Sequence, residues 1–131
     1  VKIVLATADT NRQLSLGLLL SEEPSVTIAG IASETESLFS LIKFAYPDVV
    51  IADWDLPGRP LSVLLEKACK NGDKPKWIIL GPSARVKKEA LLAGASAFVV
   101  RGDPPEVLLN AFRDTRALLA APTNDLSVIT K

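Results

Sequence analysis

The chain has 131 residues, 48% of them apolar and 23% charged, which is the profile of one folded domain with a single core. Its 15 basic and 15 acidic side chains cancel, so no electrostatic footprint points to nucleic acid or to an anionic membrane surface. With no histidine and one cysteine, Cys69, the sequence excludes His-based triads and metallohydrolase sites, an internal disulfide and a cysteine zinc cluster.

Strand-like and helix-like segments alternate from end to end. KIVLA at 2–6 predicts a first strand, and Thr10 with Gln13 three residues later is a capping-box pattern opening a helix through about Glu22. VTIAGI at 26–31 predicts the second strand. Ser33 and Glu36 repeat the capping-box spacing, and Leu38, Leu41, Ile42 and Ala45 then share one helical face. DVVIAD at 48–53 is the third strand. Leu61, Leu64, Leu65 and Ala68 form the stripe of a third helix that stops near Asn71-Gly72.

KWIIL at 76–80 predicts the fourth strand, ended by Gly81-Pro82, and Ser83 is placed to cap a short helix finishing near Gly94. AFVV at 97–100 is the fifth strand. Asp103 as cap, Pro104 at the first helical position and Glu106 open the last helix, with Val107, Leu108, Ala111, Phe112 and Leu119 on its inner face. After Pro122 the periodicity fades, which divides the chain into a domain at 1–121 and a linker, or the start of a further region, at 122–131. Five βα units in register predict a three-layer α/β sandwich on a parallel sheet.

No apolar stretch approaches the roughly 20 residues of a membrane span, and VKIVLATADT lacks the cleavage pattern of a signal peptide. A cytoplasmic location without membrane contact is the expectation. A start at Val1 and an abrupt end in TNDLSVITK read as a piece of a longer parent.

In an open parallel sheet ligands bind at the carboxyl ends of the strands. That rule singles out Thr7, Ala8, Asp53, Gly81 and Arg101, with Asp9 and Asp55 close by. Trp54 and Trp77 are expected in packing, Cys69 as a small apolar filler, and Arg85 to Lys88 as a solvated helix face. Gly94 to Ala97 is a helix-to-strand turn at the wrong end of the sheet for a phosphate loop.

Over nearly its whole length the chain resembles the receiver domains of two-component response regulators. The segments that carry the resemblance are KIVLA, PDVVIADWDLPG, WIILGPS and AGASAFVVRGDPPEVLLNAF. Together with SEEPSVTIAGIAS they are most similar to receivers joined to a C-terminal helix-turn-helix DNA-binding domain. The resemblance implies a flavodoxin-like (βα)5 fold with strand order 2-1-3-4-5. It places Asp53 at the phospho-acceptor position and Phe98 at the switch aromatic. It also places Thr7 and Ala8 where two magnesium-binding acids are usual, Gly81 where a phosphoryl-binding hydroxyl is usual, and Arg101 where a lysine is usual. Leu61 stands for a glycine usual in the loop after the acceptor.

These departures predict a degenerate pocket. Thr7 offers a neutral hydroxyl and Ala8 only backbone, so weak Mg²⁺ binding at most is expected, with no other cofactor. Asp9 is either a residual metal ligand or the cap of the first helix, the cap being favoured, and Asp55 to Gly58 is turn chemistry first. Arg101 is expected to pair with Asp53 through its planar fork. The leading expectation is a non-enzymatic signalling and interaction module. By resemblance it dimerises through the fourth helix, fifth strand and fifth helix and regulates a linked or partner transcriptional output. The alternatives are a phosphorylation-competent receiver served by a histidine kinase, and a small flavodoxin-like enzyme or cofactor binder. The last is disfavoured by the absence of a glycine-rich phosphate loop and of histidine.

Overall fold

The computed structural model describes residues 1–69 and 75–129, with Cys69 and the last helix from residue 120 onward described as backbone alone. The expected helix stop at Asn71-Gly72 and the packing role of Cys69 therefore lie outside the described residues. The elements are β1 (Lys2–Ala6), α1 (Thr10–Ser21), β2 (Thr27–Ala32), α2 (Thr35–Ala45), β3 (Val49–Asp53) and α3 (Leu61–Cys69). They continue with β4 (Lys76–Gly81), a 3₁₀ turn at Ala84–Val86, α4 (Lys87–Ala93), β5 (Ala97–Val100) and α5 (Pro105–Ile129). All neighbouring strands pair in parallel, in the order β2-β1-β3-β4-β5.

The central strands are apolar on successive residues because each face of the sheet is covered. Val4 and Ala6 of β1, Val50 and Ala52 of β3, and Trp77 and Ile79 of β4 face the core shared with α2, α3 and α4. Their alternates Ile3, Leu5, Val49, Ile51, Ile78 and Leu80 face the core shared with α1 and α5. This is the two-residue period of a strand serving two cores at once. Burial of each such side chain stabilises the fold by about 1.5–3 kcal/mol relative to exposure. Trp77 is buried at 1% exposure, in packing as its sequence position suggests.

Helix starts differ in part from the sequence expectation. The cap of α1 is Asp9, as favoured for that residue; its carboxylate accepts the Arg12 N–H at 3.1 Å, so Thr10 is the first helical residue rather than the cap. Ser33 does not cap α2; its N-cap is the extended Glu34, with no side-chain bond. The Thr35 N–H instead donates to the Pro57 carbonyl at 2.9 Å, so a tertiary contact satisfies a donor that a capping box would have served. Helix α5 begins at Pro105 rather than Pro104, because a residue preceding a proline is turned away from helical backbone.

Val107 is 39% exposed and not part of the inner face of α5, where Ala111 packs as expected beside the line of Leu108, Phe112, Thr115 and Leu119. Spacings of four, three and four keep those four on one side, whereas position 107 lies about 100° away. The helix continues to Ile129, past Pro122, where the fading pattern predicts a linker. A proline removes one N–H and need not end a helix whose preceding turn is rich in Ala and Leu. Ser83 does cap the 3₁₀ turn, accepting the Arg85 N–H at 3.3 Å.

Candidate functional site

The topology brings the carboxyl ends of β1, β3, β4 and β5 to one edge, and Asp53 ends the central strand there, 4% exposed. Burying a carboxylate requires partners. Thr7, at the end of β1, donates its hydroxyl to Asp53 Oδ2 at 2.6 Å and accepts the Asp9 N–H at 3.1 Å. Arg12, in the first turn of α1, donates from Nε to the same Oδ2 at 3.3 Å, with Nη2 also at 3.3 Å. Gln13 donates to the Thr7 carbonyl at 2.8 Å and steadies this corner.

The expected pairing of Arg101 with Asp53 is met in part, as an ion pair without the two-armed fork. The Arg101 fork takes Asp55, Nη1 to Oδ1 at 2.6 Å and Nη2 to Oδ2 at 3.0 Å, whereas Nη1 stands 3.6 Å from Asp53 Oδ1. Asp53 is its secondary ion-pair partner. The hydrogen bond from Arg101 draws the Asp55 carboxyl below the ordinary carboxylate range, partly opposed by burial. The same bond raises the Arg101 guanidinium. Asp53 Oδ1 is buried and has no hydrogen-bond partner among the described residues.

The remaining singled-out residues divide clearly. Asp9 serves as the α1 cap and lies 3.7 Å from Arg12 Nη1. Ala8, Asp9, Arg12, Asp53, Asp55 and Pro57 line a shallow cavity of about 350 Å³. Gly81 is buried at the end of β4, and a Cβ built there would overlap the Phe98 ring and come within 2.8 Å of Val86 Cγ2. Phe98 therefore packs inward across the space where a side chain at position 81 would stand. Among the described residues no three His, Cys, Asp or Glu side chains are grouped to hold a metal ion.

Arg12 is the site residue that sequence reading misses. A cation in the first turn of a helix opposes the helix dipole, and that misplacement is a signal of a specific acidic partner.

No family model matches the chain. The probable transcriptional regulatory protein SgaR of Hyphomicrobium methylovorum is 28% identical over 98% of this chain and 63% of its own length. The transcriptional regulatory protein DesR of Bacillus subtilis is 31% identical over 76% of this chain and 50% of its own length. The chain thus spans less than two thirds of either relative. Among solved structures, the response regulatory domain of mrkE from Klebsiella pneumoniae superposes with a TM-score of 0.82 at 14% identity, covering 90% of this chain and 97% of that one. A DNA-binding response regulator of the LuxR family from Staphylococcus aureus gives 0.79 at 20% identity, covering 87% and 97%. The five-stranded order and the enclosing helices are common to this fold.

Proposed function

We propose that this chain, which has the receiver fold of response regulators and resembles the receivers of LuxR-type proteins, is an atypical receiver whose signalling state does not depend on Mg²⁺-assisted phosphorylation of Asp53. The observation that carries this reading is that the pocket's acids are already committed to internal partners. Asp53 Oδ2 holds Thr7 and Arg12, both oxygens of Asp55 hold Arg101, and Asp9 caps α1. Mg²⁺ requires a near-octahedral set of oxygens and usually one or two free carboxylates. The donor set does not fit it, since Ala8 contributes no side-chain oxygen and the guanidinium of Arg12 stands beside Asp53 in a cation's place. Gly81 likewise offers no hydroxyl to a phosphoryl oxygen.

In this reading the chain is not an enzyme but a cytoplasmic interaction module. Its output is transcriptional, by analogy with the transcriptional regulatory proteins SgaR and DesR. The partner face is α4, β5 and α5, where Leu91, Leu92, Val107 and Leu118 are exposed and a second copy of the chain would bury them.

A second reading keeps Asp53 as the acceptor for a histidine kinase. It is favoured by Oδ1, which has no hydrogen-bond partner among the described residues and faces Arg101 at 3.6 Å. Incubation with acetyl phosphate and Mg²⁺, followed by intact mass, decides between them. The proposal expects unmodified protein. A phosphoryl adduct that disappears in Asp53→Ala would establish the second reading instead.

A further inference from the structure

A groove between α2 and α3 lies outside the Asp53 pocket and has no part in the proposal above. It encloses about 290 Å³ and is walled by Thr35, Phe39, Val63 and Leu64, with Arg59 and Lys67 on its rim. Phe39 and Val63 are 40% and 41% exposed, so the groove presents apolar surface to any occupant. Neither Arg59 nor Lys67 joins an ion pair among the described residues. A third cation, the ammonium of Lys43, stands 4.3 Å from the centre of the Phe39 ring. Lys43 lies outside the lining, which itself holds two cations, Arg59 and Lys67, against one carboxylate, Glu36.

An apolar cleft lined by two cations that join no ion pair among the described residues, against one carboxylate, selects for a ligand that is apolar in its body and negative at one end. We infer that the α2–α3 groove binds a small organic anion, an aromatic or branched aliphatic body of about two rings carrying a carboxylate or sulfonate. The body would lie against Phe39, Val63 and Leu64, and the anionic end would meet Arg59 and Lys67. The site is joined to the Asp53 pocket through one loop. Thr35, at the start of α2, donates its N–H to the Pro57 carbonyl, and Gly58 at φ +108° packs directly on the Thr35 hydroxyl. The same loop carries Asp55 at one end and Arg59 at the other. An occupant of the groove therefore touches the segment that positions the partner of Arg101.

The test uses anilinonaphthalene sulfonate as the probe and the neutral N-phenylnaphthylamine as its uncharged counterpart, at low ionic strength. Backbone amide shifts on titration locate the sulfonate, and fluorescence gives its affinity. The expected result is saturable binding with shifts centred on Thr35 to Ser40 and Arg59 to Lys67. Arg59→Gln combined with Lys67→Gln, both exposed positions, should weaken the sulfonate by about tenfold or more while leaving N-phenylnaphthylamine unchanged. Shifts centred instead on Lys87, Lys88, Leu91 and Leu92, a second basic and apolar depression, would overturn the assignment. So would unchanged affinity in the double variant, or the absence of saturable binding.

Discussion

Arg101 closes on Asp55 with both arms of its guanidinium, at 2.6 and 3.0 Å, and leaves Asp53 at 3.6 Å. Planar, two-bond pairing is the strongest form of side-chain ion pair, and it ties β5 to the loop after β3. The Asp55 side chain is 59% exposed, so solvent screening limits the gain to about 0.5–1 kcal/mol. Because the folded Asp55 carboxyl titrates below its unfolded value, this stability is present above the unfolded pKa and is lost as pH falls through the folded one. Asp55→Asn should therefore be less stable than the parent near neutral pH. The gap should close below about pH 4, as read by urea unfolding across the acid range. A gap that persists unchanged at about pH 3 would argue against the pair as its source.

Arg12 and Arg101 approach opposite oxygens of a buried carboxylate, but only Arg12 makes a hydrogen bond to it. Removing a partner from a buried charge leaves that charge uncompensated. Here Arg12 is 29% exposed and two other groups remain, so Arg12→Gln should cost about 1–2 kcal/mol. In an Asp53→Asn background the same substitution should cost markedly less. A double-mutant cycle with no coupling would show that the guanidinium is held by other contacts.

Thr7 is wholly buried, and its hydroxyl works in two directions, donating to Asp53 and accepting from the Asp9 backbone. Valine matches its shape and removes both bonds. Thr7→Val should destabilise by about 1–3 kcal/mol, whereas Thr7→Ser, which keeps the hydroxyl, should recover most of the loss. A neutral Thr7→Val beside a destabilised Thr7→Ser would assign the effect to the methyl group instead.

The layering of the fold was legible because β1, β3 and β4 carry apolar residues on successive positions between their ends and turn signals separate each unit. The strand order was not in the pattern; it came from the resemblance. The rule that sites lie at strand carboxyl ends singled out Thr7, Asp53 and Arg101, with Asp55 close by, and the structure places these four in one contact network. What the sequence did not reveal was how the charges are shared. Arg101 ends β5 and must cross the end of β4 to reach either acid, and Asp55, farther out on the loop, offers both oxygens to the fork. Arg12 was hidden although Asp9 was favoured as the helix cap, because its hydrogen bond to Asp53 joins residues 41 apart in sequence. The start of α2 escaped for a related reason. Its first donor is satisfied by the Pro57 carbonyl, a contact between residues far apart in sequence.

Gly81 and Phe98 occupy one volume between them. A Cβ at position 81 would meet the ring of Phe98 and come within 2.8 Å of Val86 in the 3₁₀ turn before α4. Gly81→Thr must therefore expel the ring, shift the turn, or both. Overpacking of this kind typically costs about 1–3 kcal/mol, and Gly81→Ala should show the lower part of that range. Because the closest clash is with the Phe98 ring, Phe98→Ala should be destabilising alone yet should relieve much of the cost of Gly81→Thr in the double variant, leaving the contact with Val86. Urea unfolding of the four proteins gives the coupling, and amide shifts along Ala84 to Ala93 report whether the turn and α4 move with the ring. Additive losses, with no movement of that segment, would mean that Phe98 does not depend on the absent side chain at position 81.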